Sequence, residues 1–121
     1  MCTNNFLRTK AIYISGKYSG DIDTNIGKAR ESAIKIWEAG YTALCPHLNT
    51  YHFEQDCKCV YNDYIEGDLA LLANVDGIFM LNEWEESQGA KVEHQFAIER
   101  GIPIFYNVNE LNEFFIEGVR K

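Results

Sequence analysis

The chain carries no run of lysine or arginine. Its 11 basic residues are outnumbered by 18 acidic ones, giving a net charge of −7 and a sequence pI near 4.9. A groove for polymeric nucleic acid would need a basic patch, so that partner is disfavoured. A small anionic ligand is not, because backbone amides at a helix start bind anions without net positive charge. Long apolar runs are lacking too. None approaches the roughly 18 to 20 residues of a membrane span, and the opening "MCTNNFLRTK" has no signal-peptide core. The expectation is a cytoplasmic protein with no membrane partner. Cysteines are few: Cys2, Cys45, Cys57 and Cys59 suit free thiols better than a disulfide framework. Repeats, linkers and low-complexity segments are absent. What remains is a chain of 121 residues, 46% hydrophobic, which fits one folded domain over 1–121 with a real core.

The apolar pattern alternates short β-rich runs with amphipathic stretches. "KAIYIS" reads as a buried strand ending at Gly16. A helix follows from about Asn25 to Ala39, capped by Asp23, Thr24 or Asn25, with Ile26, Ala29, Ala33, Ile36 and Trp37 on its stripe and Gly40 as its stop. "YTALCP" is a second strand. Residues 46–60 have no clean period and read as a loop with room for a short helical turn. Further elements are a helix over Tyr61 to Ala73, the strand "DGIFML", a helix over Gln88 to Arg100, the strand "IPIFY" and a last helix, "VNELNEFFIEGV", packed through Phe114, Phe115 and Ile116. Asp76 reads as a turn or cap residue. The order β-α-β-α-β-α-β-α with wholly apolar strands predicts an α/β, Rossmann-like (flavodoxin-like) three-layer sandwich around a four- to five-stranded parallel sheet. Ligands then bind beyond the carboxyl ends of the strands, at Gly16 to Asp23, Pro46 to Val60 and Asn82 to Gly89.

Two acids fall on apolar faces. Glu93 has Ala90 and Ala97 at i−3 and i+4, flanked by Val92 and Phe96. Asp68 has Tyr64, Ile65, Leu71 and Leu72 at the equivalent spacings. An unpartnered buried carboxylate costs several kcal/mol or shifts its pKa upward. Both acids can be read as structural, capping amides or sitting at a helix edge. They can also be read as a pair in one cleft, which suits chemistry at an anomeric carbon: one acid meets the sugar carbon and the other handles the leaving group's proton. Two glycine loops lie at the same sheet edge. "SGKYSG" presents Ser15, Gly16, Lys17, Ser19 and Gly20, and "ESQGA" presents Ser87 and Gly89 at a helix start. Either can hold phosphate; Ser87 can equally be a plain N-cap.

With "YISG", "YIEGDLALL" and "ESQGAKVEHQFA" in view, the chain resembles the nucleoside 2-deoxyribosyltransferase superfamily over roughly Ala11 to Tyr106. It is most similar to a small phage and bacterial branch with the pattern W-E-x-S-x-G-A-x-x-E, here Trp84 to Glu93. The resemblance implies that Glu93 is the nucleophile on C1′, that Asp68 assists at the base, and that Tyr13 orients the glutamate. In the superfamily, the position six before the glutamate is aspartate in transferases and serine in the 2′-deoxynucleoside 5′-monophosphate N-hydrolases, where it binds the 5′-phosphate. This chain has Ser87 there. Gly16 and Gly89 match phosphate-loop positions of the hydrolases. Their first-loop serine and arginine fall at Lys17 and Ser19, with Lys17 supplying positive charge. The implied function is N-glycosidase action on a (2′-deoxy)nucleoside 5′-monophosphate, without a cofactor, in a homodimer or higher homo-oligomer. The alternatives are a non-catalytic nucleotide sensor or sequestering protein using the same pocket, and a base-exchanging transferase.

Two features stay outside that frame. His47, His52, Cys57 and Cys59 form H-x4-H-x4-C-x-C. The C-x-C spacing is not a usual zinc knuckle, so no metal site is assigned, and His52 is a candidate to stack on the base. Trp84 is a second such candidate, or packs its own loop.

Overall fold

The computed structural model describes residues 7–118. Four parallel strands, β1 (Ala11–Ser15), β2 (Thr42–Leu44), β3 (Gly77–Met80) and β4 (Ile104–Phe105), form one sheet in the order β2-β1-β3-β4. Helices α1 (Ile22–Glu38), α3 (Tyr61–Leu72), α4 (Gln88–Arg100) and α5 (Val108–Phe115) connect or follow them, and a single turn, α2 (Pro46–Asn49), follows β2. This is the expected flavodoxin-like α/β sandwich, with four strands.

The three layers follow from side-chain parity along β1. Successive residues of a strand face opposite sides. Ile12 and Ile14 join Ala29, Ala33 and Ile36 of α1 and Leu111 of α5 in one core cluster. Tyr13 joins Leu72 of α3, Ile78 and Met80 of β3, and Ala90 and Ala97 of α4 in the other. Asp76 ties the lower edge of the sheet, its carboxylate accepting the Ala11 N–H at 2.8 Å. The strand order reverses direction at β1, which has β2 on one side and β3 on the other. Such a switch point opens a crevice at the strand carboxyl ends.

Several boundaries differ from the sequence reading. Helix α1 begins three residues early because Asp21 is its N-cap, accepting from the Thr24 N–H. Asn25 is instead buried, and its amide donates to the carbonyls of Tyr18 and Ser19, fixing the loop after β1. Trp37 leaves the apolar stripe: it is 43% exposed and the Arg8 guanidinium lies over its ring. The loop after β2 contains α2 and a 3-10 turn, Phe53–Gln55. Helix α5 ends at Phe115 and leaves Ile116 exposed; Phe114 and Phe115 pack on Phe105 as expected.

Candidate active site

Helix α4 buries only Ala90, Glu93 and Ala97, a narrower stripe than the sequence suggests, since Val92 is exposed. Two alanines flanking the acid let the helix approach the sheet closely. The Glu93 carboxylate thereby reaches β1. Tyr13 donates its hydroxyl to Oε2 at 2.7 Å, and Ser15 donates to Oε1 at 2.6 Å. Tyr13 and Ser15 are two residues apart on one strand, so both point to the α4 face. Ser15 was not assigned this role from sequence, although its i+2 relation to Tyr13 was the available signal.

Glu93 is 6% exposed. Burial pushes its pKa up to about 7, with the two hydroxyl donors pulling the other way and the charge of Asp68 adding a smaller push upward. Tyr13 is held far above the ordinary phenol range, first by burial and then by the Glu93 charge. It therefore remains a hydrogen-bond donor. Each Glu93 oxygen accepts one hydroxyl and keeps further acceptor capacity.

Glu93 and Asp68 both line one cleft of about 660 Å³, within the range of small-molecule sites. Asp68 comes from the inner face of α3 and burial raises its pKa to about 6. The structure thus brings together two carboxyl groups, both shifted upward, in one concavity. That combination marks a functional site more often than a purely structural one.

The expected phosphate residues also converge there. Gly16, Lys17, Ser19, Ser87 and Gly89 all line the cleft. A Cβ on Gly16 would come within 2.8 Å of the Leu81 Cβ, so packing alone demands glycine at this position. Gly89 is tight as well: a Cβ would lie 3.1 Å from Ile65 Cδ1 and 3.4 Å from the Tyr61 hydroxyl. Ser87 is the N-cap of α4, its Oγ accepting the Ala90 N–H at 3.1 Å. Lys17 pairs with Glu86 at 2.9 Å across the rim. His47, absent from the expected site, is buried, lines the cleft and bonds through Nε2 to the Lys17 carbonyl at 2.9 Å. It anchors the β1–α1 loop to α2. Burial lowers its pKa, so it serves as a neutral strut.

The two suggested base-stacking residues lie elsewhere. Trp84 stacks on His94 with ring centroids 4.2 Å apart and does not line the cleft. His52 also stands outside the lining; its ring nitrogens face Asp23 and Glu54. The aromatic walls are Tyr18, Tyr61 and Tyr64. The four members of the His/Cys pattern do not gather, and among the described residues no group of three or more His, Cys, Asp or Glu is placed to hold a metal. Cys45, Cys57 and Cys59 are free thiols.

A family model described as a domain of unknown function, DUF4406, matches residues 10–106, and the chain belongs to that family. No curated protein matches it in sequence. Among solved structures, it is similar to the 2-deoxyribosyltransferase of the psychrotolerant bacterium Bacillus psychrosaccharolyticus, with a TM-score of 0.57 at 16% identity over 78% of this chain and 69% of that one. The fold is therefore that of the nucleoside 2-deoxyribosyltransferases, as the sequence resemblance implied. No helix among the described residues is long and apolar enough to cross a membrane.

Proposed function

We propose that this chain hydrolyses the base–sugar bond of a (2′-deoxy)nucleoside 5′-monophosphate, with Glu93 as the nucleophile. The observation that carries this reading is the Glu93 carboxylate, buried, gripped by the Tyr13 and Ser15 hydroxyls and sharing a cleft with Asp68. The deoxyribosyltransferase fold supports the same general chemistry.

The Glu93 carboxylate attacks C1′ as the N-glycosidic bond breaks, and that bond's electron pair passes to the base nitrogen. The base takes a proton from the Asp68 carboxyl group and leaves. A water then attacks C1′ of the glycosyl ester, gives its proton to the Asp68 carboxylate and releases Glu93. One nucleotide and one water become one free base and one sugar phosphate. The pair must hold one proton in total at the start, on Asp68; with Asp68 at about 6 and Glu93 at about 7, the shared proton rests more often on Glu93, so the reacting form is the minor member of the singly protonated pair. Tyr13 and Ser15 fix the nucleophile in one orientation, and orientation of this kind contributes substantially to rate.

The phosphate assignment rests on the start of α4. Gln88 and Gly89 line the cleft and belong to a first helical turn, whose N–H groups have no intrahelical partner. A phosphate there meets the positive helix end and the Ser87 hydroxyl. Lys17 reaches it by releasing Glu86. We further read the chain as a homo-oligomer, in keeping with the exposed Tyr61, Leu71, Val92 and Ile98 on α3 and α4.

The test is a panel of nucleoside monophosphates, each incubated with the protein, with free base measured by chromatography. Base release from at least one of them, lost in Glu93→Gln, is the expected result. No release across the panel, or equal release by Glu93→Gln, sinks the proposal. Adding a second free base to a positive reaction separates hydrolysis from base exchange.

A further inference from the structure

One cluster beside the cleft has no part in the chemistry above. His52 sits at the tip of the segment between α2 and α3, with φ 55° and ψ 24°, a left-handed conformation uncommon outside glycine. Its Nε2 lies 3.0 Å from Asp23 Oδ1, near the start of α1, and its Nδ1 lies 3.1 Å from Glu54 Oε2. A neutral imidazole has one N–H and one bare nitrogen, so it can satisfy only one of these carboxylates as a donor. Both contacts are met together by the imidazolium form. The second Glu54 oxygen, Oε1, accepts the Tyr18 hydroxyl at 2.8 Å. Tyr18 and Glu54 both line the cleft; His52 and Asp23 stand behind them.

We propose that His52 is a positioning residue: as an imidazolium it ties the turn at Phe53–Gln55 to α1 and so fixes Tyr18 and Glu54 as the wall against which the substrate binds. The inference rests on the reading of this cleft as the substrate site, but the latch itself is defined without a substrate. The chain of contacts runs Asp23, His52, Glu54, Tyr18, linking α1, the turn and the β1–α1 loop. The other neighbours of His52 are neutral: the Tyr51 ring meets it edge-on at 4.2 Å, and the Gln55 amide lies 3.4 Å from Nδ1. The charged groups facing it are therefore Asp23 from α1 and Glu54 from its own turn. Both favour the protonated ring and raise its pKa, the Glu54 hydrogen bond most. His52 holds this left-handed backbone with both ring nitrogens facing carboxylates.

The test has a substrate-free arm and a substrate arm. In the free protein, an NMR titration should find His52 ionising above the ordinary histidine range, and Asp23→Asn should bring it down. Hydrogen exchange should show the amides of Phe53, Gln55 and Cys57, which bond within this segment, less protected in His52→Asn, a substitution that tolerates the left-handed backbone. At a fixed pH of about 6.5, near the ordinary histidine pKa, His52→Asn should raise KM for a nucleotide by about twofold to fivefold, in keeping with exposed ion pairs, with kcat unchanged. Titration at or below the ordinary range, or unchanged protection, overturns the latch. A latch confirmed by NMR with KM unchanged, or with kcat alone reduced, overturns the positioning role. If no nucleotide releases base, the glycosidase reading fails separately, and equilibrium binding of the same monophosphates to wild type and His52→Asn takes the place of KM.

Discussion

Glu93 is a residue whose fold works against its charge. Its carboxyl group ionises near 4.5 in an unfolded chain and near 7 here. Below the lower value both states hold the proton and the fold loses nothing. As pH rises from 4.5 to 7 the unfolded chain ionises first, so stability falls, and above 7 the loss is complete. Glu93→Gln should therefore be the more stable protein at pH 8, by roughly 3 kcal/mol on the linkage relation, with the difference disappearing near pH 4. Urea melts at both values check this. Turnover in the variant should fall by several orders of magnitude, because the amide cannot displace the base.

Activity should follow a narrow bell in kcat/KM, falling below about 6 and above about 7, since the pair must hold one proton. Ser15→Ala removes a donor that favours the Glu93 anion, so it should move the Glu93 ionisation upward and lower kcat at pH 7. A profile unmoved by Ser15→Ala would mean that the 2.6 Å bond has no bearing on the acid. At this scale, Glu93 and Asp68 were legible from helical spacing alone, because an acid inside an apolar stripe contradicts its surroundings. His47 was not legible: a histidine in an aperiodic loop gives no sign of which carbonyl it meets.

Among the elements, α4 joins support and binding at one end. Ser87 caps it, and the same residue lines the cleft proposed for the phosphate. The two roles separate by substitution. Ser87→Ala loses the cap and should cost about 1 kcal/mol of stability. Ser87→Asp keeps a good cap and should leave Tm near the wild-type value. It should nevertheless weaken binding of a 5′-monophosphate at least tenfold while sparing the unphosphorylated nucleoside. Calorimetry with the two ligands distinguishes these, and equal losses for both would remove the phosphate from this end of the cleft. Helix identities were read correctly because their periods are long and regular. Their ends were read less well. Asp21, Asp23, Thr24 and Asn25 are all competent caps, and only the burial of Asn25 against the Tyr18 and Ser19 carbonyls decides for Asp21. The Trp37 face was misjudged for a related reason: Arg8, distant in sequence, offers the ring an exposed cation–π seat.

For the whole molecule, the alternation of strands and helices was enough to predict the parallel sheet, and the switch point between β2 and β3 on either side of β1 places the cleft where the strand order requires. Part of the cleft wall was not accessible in the same way, since Tyr18, His47 and Glu54 come from segments without periodicity. Self-association belongs to this scale as well. Sedimentation at micromolar concentration should give a mass of at least twice 13.9 kDa; a monomer would leave the exposed apolar side chains of α3 and α4 unaccounted for.

The parity of β1 sets a limit on how this protein can vary. The five-residue strand supplies the apolar floor for α1 from two even positions, Ile12 and Ile14, and the grip on Glu93 from two odd ones, Tyr13 and Ser15. Core and chemistry are two readings of one short text, in adjacent frames. A single inserted or deleted residue in this strand would exchange them, burying hydroxyls against α1 and presenting isoleucine to the acid. A substitution here touches the core or the site, whereas a change of length in β1 disturbs both at once.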